Sequence, residues 1–205
     1  MATFLLIRHA ENDFVGKTLA GRLPAVHLNK HGVQQANRLA KELCKLPVRA
    51  IYASPLERAQ ETAVPLASKL NLEIQTDPAL IEIDFGEWEG QDLNQLRESP
   101  MWQAVQEAPD TFHFPGGESL REAQVRITEG LIRLSKQFEE NDLVICISHS
   151  DPLRLAVVYF LGLPLNTLQR IRIKPASVTA LTLSESKKPY YGFINQTFGR
   201  LRLPQ

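Results

Sequence analysis

Phe4 to Ile7 is an unbroken apolar run, too short for a helix, and its continuity predicts a strand covered on both faces. It stops abruptly at Arg8 and His9. Arg49 to Ala53 and Leu143 to Ile147 repeat the pattern, ending at Ser54 and at Ser148-His149. Between these runs the period changes to three or four. Val33, Ala36, Leu39, Leu43 and Leu46 predict one buried face of a helix over 31–46, which Pro47 ends. Leu120, Ala123, Ile127, Leu131, Leu134 and Phe138 predict another, opened by the capping box Ser119-Leu120-Arg121-Glu122. Ser54-Pro55-Leu56-Glu57 reads as a second capping box, with Arg58 in the first turns and a kink at Pro65. Asp151 and Pro152 read as the N-cap and first residue of a helix ending near Gly162.

The remaining segments are shorter. Glu73 to Thr76 suggests a brief strand, and the alternation from Leu80 to Gly86 would place Glu82 and Asp84 on one side of an extended segment. Arg170 to Ile173 and Ser177 to Leu183 predict closing strands, with an edge strand near Tyr191 to Ile194. Residues 86–118 hold four glycines, three prolines and both tryptophans, the composition of an irregular insertion with short helices, a candidate lid. Strands alternating with helices predict an α/β fold, a three-layer α/β/α sandwich with a mostly parallel central sheet. A single domain over 1–205, with an insertion at about 86–118, is the expected organisation.

Composition narrows the chemistry by exclusion. Lys+Arg and Asp+Glu are equal at 23 each, so no global field draws the chain to nucleic acid or anionic lipid, and any anion site must be local. Hydrophobic residues at 43% and charged residues at 22% are ordinary globular values. The N-terminal residues lack the basic and long apolar regions of a signal peptide, and the longest apolar run, Leu155 to Leu163, is too short to span a bilayer. Cys44 and Cys146 lie far apart in apolar segments, as reduced thiols would, so the expected location is the cytoplasm.

In a parallel sheet the three polar strand ends share the carboxyl edge, where open α/β sheets bind ligands and helix N-termini favour anions. Arginines with histidines there suit a phosphoryl group. Guanidinium forks match phosphate oxygens, and an imidazole can attack phosphorus and leave again, with no metal or organic cofactor. A protonated carboxyl for the leaving oxygen is also needed, with Glu82 and Asp84 as candidates. Plainer roles exist for each residue. Arg8 could pair with Glu11 and Arg58 with Glu57 or Glu61, contacts worth a few tenths of a kcal/mol. Lys17 and Arg22 sit in the loop over 10–30, where they could meet the substrate's far end or simply be solvated. His27 and His31 have a helical metal-ligand spacing but no evident third ligand, and His113 reads as ordinary packing.

The order Leu6-Ile7-Arg8-His9-Ala10-Glu11, Leu28-Asn29-Lys30-His31-Gly32, Ser54-Pro55-Leu56-Glu57-Arg58-Ala59, Leu80 to Gly90, Pro115-Gly116-Gly117-Glu118-Ser119 and Ser148-His149 resembles the histidine phosphatase superfamily, in its phosphoglycerate mutase-like branch. The resemblance implies phosphorylation of His9, with Arg8, Arg58 and His149 around the phosphoryl oxygens. It also selects Glu82 as proton donor, at the glutamate of Leu-x-Glu-x-x-x-Gly, with Asp84 the weaker alternative. Asn12, in place of the family's usual serine or threonine, keeps an amide that can donate. Ala10 replaces a usual glycine, Val15 stands where mutases carry a substrate-binding asparagine, and Ser150-Asp151 replaces a common glycine pair. These departures favour hydrolysis of a small phosphorylated metabolite over mutase-type phosphotransfer. A weakly catalytic phospho-ligand or protein-binding module is the second alternative. Neither sequence nor resemblance indicates an oligomeric state.

Overall fold

The computed structural model describes residues 2–184 and 188–198. Six strands form one sheet in the order β3-β2-β4-β1-β5-β6: β1 Ala2–Arg8, β2 Val48–Ala53, β3 Ile74–Thr76, β4 Leu143–Ser148, β5 Val178–Leu183 and β6 Tyr190–Gln196. The first four in that order run parallel, whereas β5 lies antiparallel to β1 and β6 antiparallel to β5. The α/β sandwich with a mostly parallel sheet is thus present.

Alternation along β1 explains its unbroken apolar sequence. Phe4 and Leu6 join the cluster that includes Leu120, Ile127 and Leu131 of α5 (Leu120–Ser135) and Leu153 of α6 (Ser150–Phe160). Leu5 and Ile7 join the opposite cluster, with Ala36, Leu39 and Leu43 of α1 (Lys30–Leu43) and Ala59, Ala63 and Leu66 of α2 (Glu57–Leu70). Both faces of the strand are therefore covered, so neither tolerates polar positions. Among the described residues no helix is long and apolar enough to cross a membrane.

Several local expectations are corrected. The buried face of α1 is Gly32, Ala36, Leu39, Ala40 and Leu43, while Val33 and Leu46 are exposed. The helix stops at Leu43, before Pro47 could end it, and its cap is Asn29, whose side chain accepts from the Gly32 amide at 2.8 Å. A Cβ on Gly32 would collide with the Glu11 carbonyl, so glycine lets α1 press against the loop that follows His9. α2 starts at Glu57 with no side-chain cap and continues through Pro65. Arg170 to Ile173 forms no strand; a 3-10 helix over Leu165–Arg170 gives way to irregular chain. Leu80 to Gly86 is likewise unpaired. The capping box at Ser119 and Glu122 is present on both sides, and the predicted stripe from Leu120 to Leu134 is buried. Residues 86–118 contain a 3-10 turn at Gly86–Trp88 and the short helices α3 (Leu93–Arg97) and α4 (Pro100–Glu107).

Candidate active site

Strand register brings the three polar ends level. Arg8 pairs with Ser148 and Ala53 with Ile147 across the sheet, and the next backbone bonds run from the His9 amide to the Ser148 carbonyl and from the Ser54 amide to the Ile147 carbonyl. The imidazoles of His9 and His149 consequently lie with ring centroids 5.1 Å apart. A pocket of about 160 Å³ forms at this edge, lined by Arg8, His9, Asn12, Arg58, Glu82 and Asp151 among others.

His9 is buried, and its Nδ1 lies 2.7 Å from the Ala10 carbonyl. A carbonyl only accepts, so Nδ1 carries the proton, and the neutral ring keeps a lone pair on Nε2. Burial first, then the charges of Arg8 and Arg58, push the His9 pKa well below 6.5. The ring is therefore neutral at neutral pH, with Nε2 unprotonated as a nucleophile would require. Ala10 is fully buried, and its amide donates to Thr62 Oγ1 at 2.9 Å, while that hydroxyl donates to the Arg58 carbonyl at 2.7 Å. The loop carrying His9 is thereby fastened to the helix carrying Arg58.

The guanidiniums are anchored by one side. Arg8 donates from Nη1 to the Ile173 carbonyl at 2.7 Å, and Arg58 from Nη2 to the Gly21 carbonyl at 2.6 Å. The pairings with Glu11 and with Glu57 or Glu61 do not form: Glu11 holds Asn29 and His31, Glu57 accepts from the Ala25 amide, and Glu61 holds His27 and the Leu28 amide. Arg8 Nε, Arg58 Nη1 and His149 Nδ1 are buried polar atoms without a partner among the described residues. Buried polar atoms without partners are costly, and the two guanidinium nitrogens among them are donors that need an acceptor. A phosphoryl group would supply the acceptors.

Ser54 is not a helix cap. Its hydroxyl is 2.7 Å from His149 Nε2, both groups being fully buried, and so fixes the second imidazole. The Ser-x-x-Glu pattern that suggested a capping box is used differently at each end. His149 itself is the N-cap position of α6, which starts two residues before the predicted Pro152. Ser150 and Asp151 therefore form its first turn and line the pocket. Asp151 bonds Arg154 through Nη1, one turn on.

Glu82 and Asp84 do not share an environment. Glu82 is buried in the pocket wall, with one carboxyl oxygen accepting from the Ile83 amide at 2.9 Å. Burial, then the nearby Asp151 charge, raises its pKa from 4.5 to about 8, against the smaller opposing pull of the Ile83 amide, Arg58 and Arg8. It is a carboxylic acid at neutral pH. Asp84 instead binds Arg22 Nη1 at 3.1 Å and the Gly86 amide at 3.0 Å.

Arg22 is not brought to the pocket wall. Its Nε donates to the Glu82 carbonyl at 2.9 Å and its Nη2 to Glu118 at 2.9 Å. Glu118 also accepts from Arg126 at 2.7 Å and from the Asp84 amide at 3.0 Å, while Arg126 reaches the carbonyls of Ala79, Ile81 and Glu82. An Arg-Glu-Arg clasp thus grips the backbone on both sides of Glu82. Asn12 does line the pocket, with its Oδ1 occupied by the Phe14 amide at 3.0 Å, which leaves its amide nitrogen to donate. His27 and His31 bond to different carboxylates, Glu61 and Glu11. Among the described residues no cluster of three or more His, Cys, Asp or Glu forms a metal-binding group.

Residues 4–195 match the family model of the histidine phosphatase superfamily, branch 1. The chain is 30% identical over 189 residues to phosphoserine phosphatase 1 of Hydrogenobacter thermophilus, covering 91% of this chain and 89% of that protein. It is 28% identical over 199 residues to a 2,3-bisphosphoglycerate-dependent phosphoglycerate mutase of Thermoplasma acidophilum, covering 96% and 95%. The solved structure of a mycobacterial glucosyl-3-phosphoglycerate phosphatase complexed with VO3 superposes with a TM-score of 0.86 at 25% identity, covering 95% of this chain and 99% of that one. Two histidines paired at the carboxyl edge of the sheet, His9 in the pocket wall and His149 buried beside it, and a family match across almost the whole chain lead to one assignment: the protein belongs to the histidine phosphatase superfamily, branch 1.

Proposed function

We propose that this protein is a cytoplasmic phosphomonoesterase acting on a small phosphorylated metabolite through a phosphohistidine at His9. The observation that carries the reading is the pairing of protonation states in one pocket. His9 is held neutral with a free Nε2, and Glu82 is held protonated. A nucleophile and an acid matched in this way are what ester cleavage at neutral pH requires.

In the first half-reaction His9 Nε2 forms a bond to phosphorus, the bond from phosphorus to the ester oxygen breaks, and Glu82 gives its proton to that oxygen. In the second, water attacks phosphorus, its proton goes to the Glu82 carboxylate, and the bond from Nε2 to phosphorus breaks. Arg8, Arg58 and His149 supply donors to the transferring oxygens, and Asn12 adds its amide. Ser54 orients His149. Arg22 and Arg126 position Glu82 through its backbone.

Mutase-type phosphotransfer is the second reading, supported by the near full-length similarity to a phosphoglycerate mutase. Product analysis separates the two. With a panel of phosphomonoesters in excess chelator, phosphate release should persist, and an acid-labile phosphoenzyme should be trapped in the native protein but not in His9→Ala. Loss of activity on chelation, or undiminished turnover by His9→Ala, overturns the mechanism. Isomerisation of phosphoglycerate outrunning phosphate release would replace hydrolysis with the mutase reading.

A further inference from the structure

The phosphate pocket opens into a second, larger space of about 600 Å³, against about 160 Å³ for the pocket itself. The two share Arg8, Leu19, Phe85, Leu93, Ser150 and Asp151 in their walls, so they are continuous. A serine or glycerate leaving group would occupy only a small part of a chamber of this size, which lies in the range that encloses drug-sized ligands.

Its walls differ in kind. One is aromatic: Trp88 and Trp102 stack with centroids 6.1 Å apart and planes 22° apart, and Phe114 meets Trp88 edge-on at 5.3 Å. The other is basic. Arg97 closes α3, and Arg172 and Lys174 come from the irregular segment after the 3-10 helix, where neither has a carboxylate partner among the described residues. Arg154 also lines the chamber, with Nη1 and Nη2 held by Asp151, Gln169 and the Leu168 carbonyl and its buried Nε without a partner among the described residues. Asp151 is the only carboxylate in the lining among the described residues, and it is paired with Arg154.

The basic segment is held in place from beneath. Ile173 is buried between Arg172 and Lys174, and its carbonyl takes the hydrogen bond from Arg8. The sequence Arg170-Ile171-Arg172-Ile173-Lys174 therefore anchors its isoleucines and presents exposed cations beside a catalytic arginine, a use that its strand-like alternation conceals.

We propose that this chamber is the subsite for a leaving group that carries a ring system and, at its far end, a second anionic group such as a carboxylate. Aromatic walls stack on a ring, and arginine pairs with a planar carboxylate through two parallel donors. The inference rests on the phosphatase reading and names the class of ester that reading leaves open.

Ethyl phosphate, 2-naphthylmethyl phosphate and a 2-naphthylmethyl phosphate with a carboxylate on the distal ring have similar alkyl leaving groups, so they test the chamber apart from the chemistry. Each step along that series should raise kcat/KM about tenfold, the worth of one good contact. The double variant Arg172→Ala/Lys174→Ala should erase the second increase and leave 2-naphthylmethyl phosphate unchanged. Trp102→Ala should lower both naphthyl esters and spare ethyl phosphate. Equal kcat/KM for the two naphthyl esters, or equal losses in the double variant, overturns the proposal. Tryptophan quenching by the corresponding naphthyl phosphonates, with and without the carboxylate, reads the chamber without turnover. If no ester yields phosphate but the carboxylate still strengthens binding through Arg172 and Lys174, the phosphatase reading alone has failed.

Discussion

Replacing Glu82 with glutamine should make the protein more stable at neutral pH while removing the proposed catalytic acid. The wild-type carboxyl ionises in the folded state only near pH 8, whereas in the unfolded chain it ionises near its ordinary value of 4.5. Folding therefore retains a proton that the unfolded chain would release. The stability associated with that proton is fully present below pH 4.5 and is lost as pH rises towards 8. Each pH step of one in that window costs about 1.4 kcal/mol, so at pH 7 the charge-excluding site lowers stability by on the order of 3 kcal/mol. Glutamine keeps an oxygen to accept from the Ile83 amide and does not ionise, so it escapes this cost. His9 and His149 are buried neutral, and their stability is lost as pH falls below 6.5, but they contribute equally to both proteins and cancel in the difference. Urea unfolding of wild type and Glu82→Gln from pH 4.5 to 8 should show a gap near zero at the acid end, opening to about 3 kcal/mol in favour of the variant by pH 7. Turnover of alkyl phosphates by the variant should fall about 100-fold or more. Parallel stability curves, or a gap favouring the wild type as pH rises, would refute the protonated-acid assignment.

For alkyl esters, kcat/KM should fall as pH rises through about 8, where Glu82 loses its proton, and should hold down to an acid limb well below 6.5, where His9 gains one. Steady-state assays with an alkyl and an aryl ester at each pH check this, and an aryl ester with a good leaving group should lack the alkaline limb. Arg22→Gln should reduce turnover of alkyl esters about tenfold more than that of aryl esters, because it loosens the backbone of the acid and not the nucleophile. A parallel series of substrates with graded leaving groups measures the slope. Ser54→Ala strands the buried Nε2 of His149 and should cost about 1–3 kcal/mol of stability, together with a roughly tenfold loss in kcat/KM. Nitrogen-resolved NMR of the His149 ring should show its tautomer no longer fixed.

What could be read in the sequence follows the range of the interactions that fix it. Strand β1 is legible because Phe4 to Ile7 must satisfy two apolar layers at once, and the cap at Ser119 because its partner Glu122 lies three residues away. Ser54 shows the same local grammar and was misleading: Glu57 is claimed by the Ala25 amide, 32 residues earlier, and Ser54 by His149, 95 residues later. The claim of His149 on Ser54 overrides propensity because it satisfies two buried polar groups, which cost more than a missing helix cap, whereas the Glu57 bond is exposed. Arg22 is likewise placed by long-range partners. Its partners Glu82 and Glu118 lie 60 and 96 residues away, so its loop position left open a substrate contact or solvation, where the fold ties it to the Glu82 backbone. His9, Arg58 and His149 were readable as candidates only together, since each alone has an ordinary structural role.

The same geometry bears on the choice between hydrolysis and phosphotransfer. A mutase must hold its phosphohistidine away from water while a small acid turns round in the site, which calls for a tight pocket with polar contacts at both ends of the substrate. Here the wall facing the pocket includes Val15 and Phe14, which offer a turning acid no side-chain hydrogen bond, and the pocket continues into a chamber several times its volume. A three-carbon acid would leave most of that chamber to solvent, so water would stand beside the phosphorylated imidazole in the second half-reaction. In the proposed mechanism Glu82, left as a carboxylate by the first step and pushed by burial to reclaim a proton, takes it from that water. A large leaving group excludes water only until it departs. The route that uses the open chamber, the apolar wall and the proton-hungry acid together is hydrolysis.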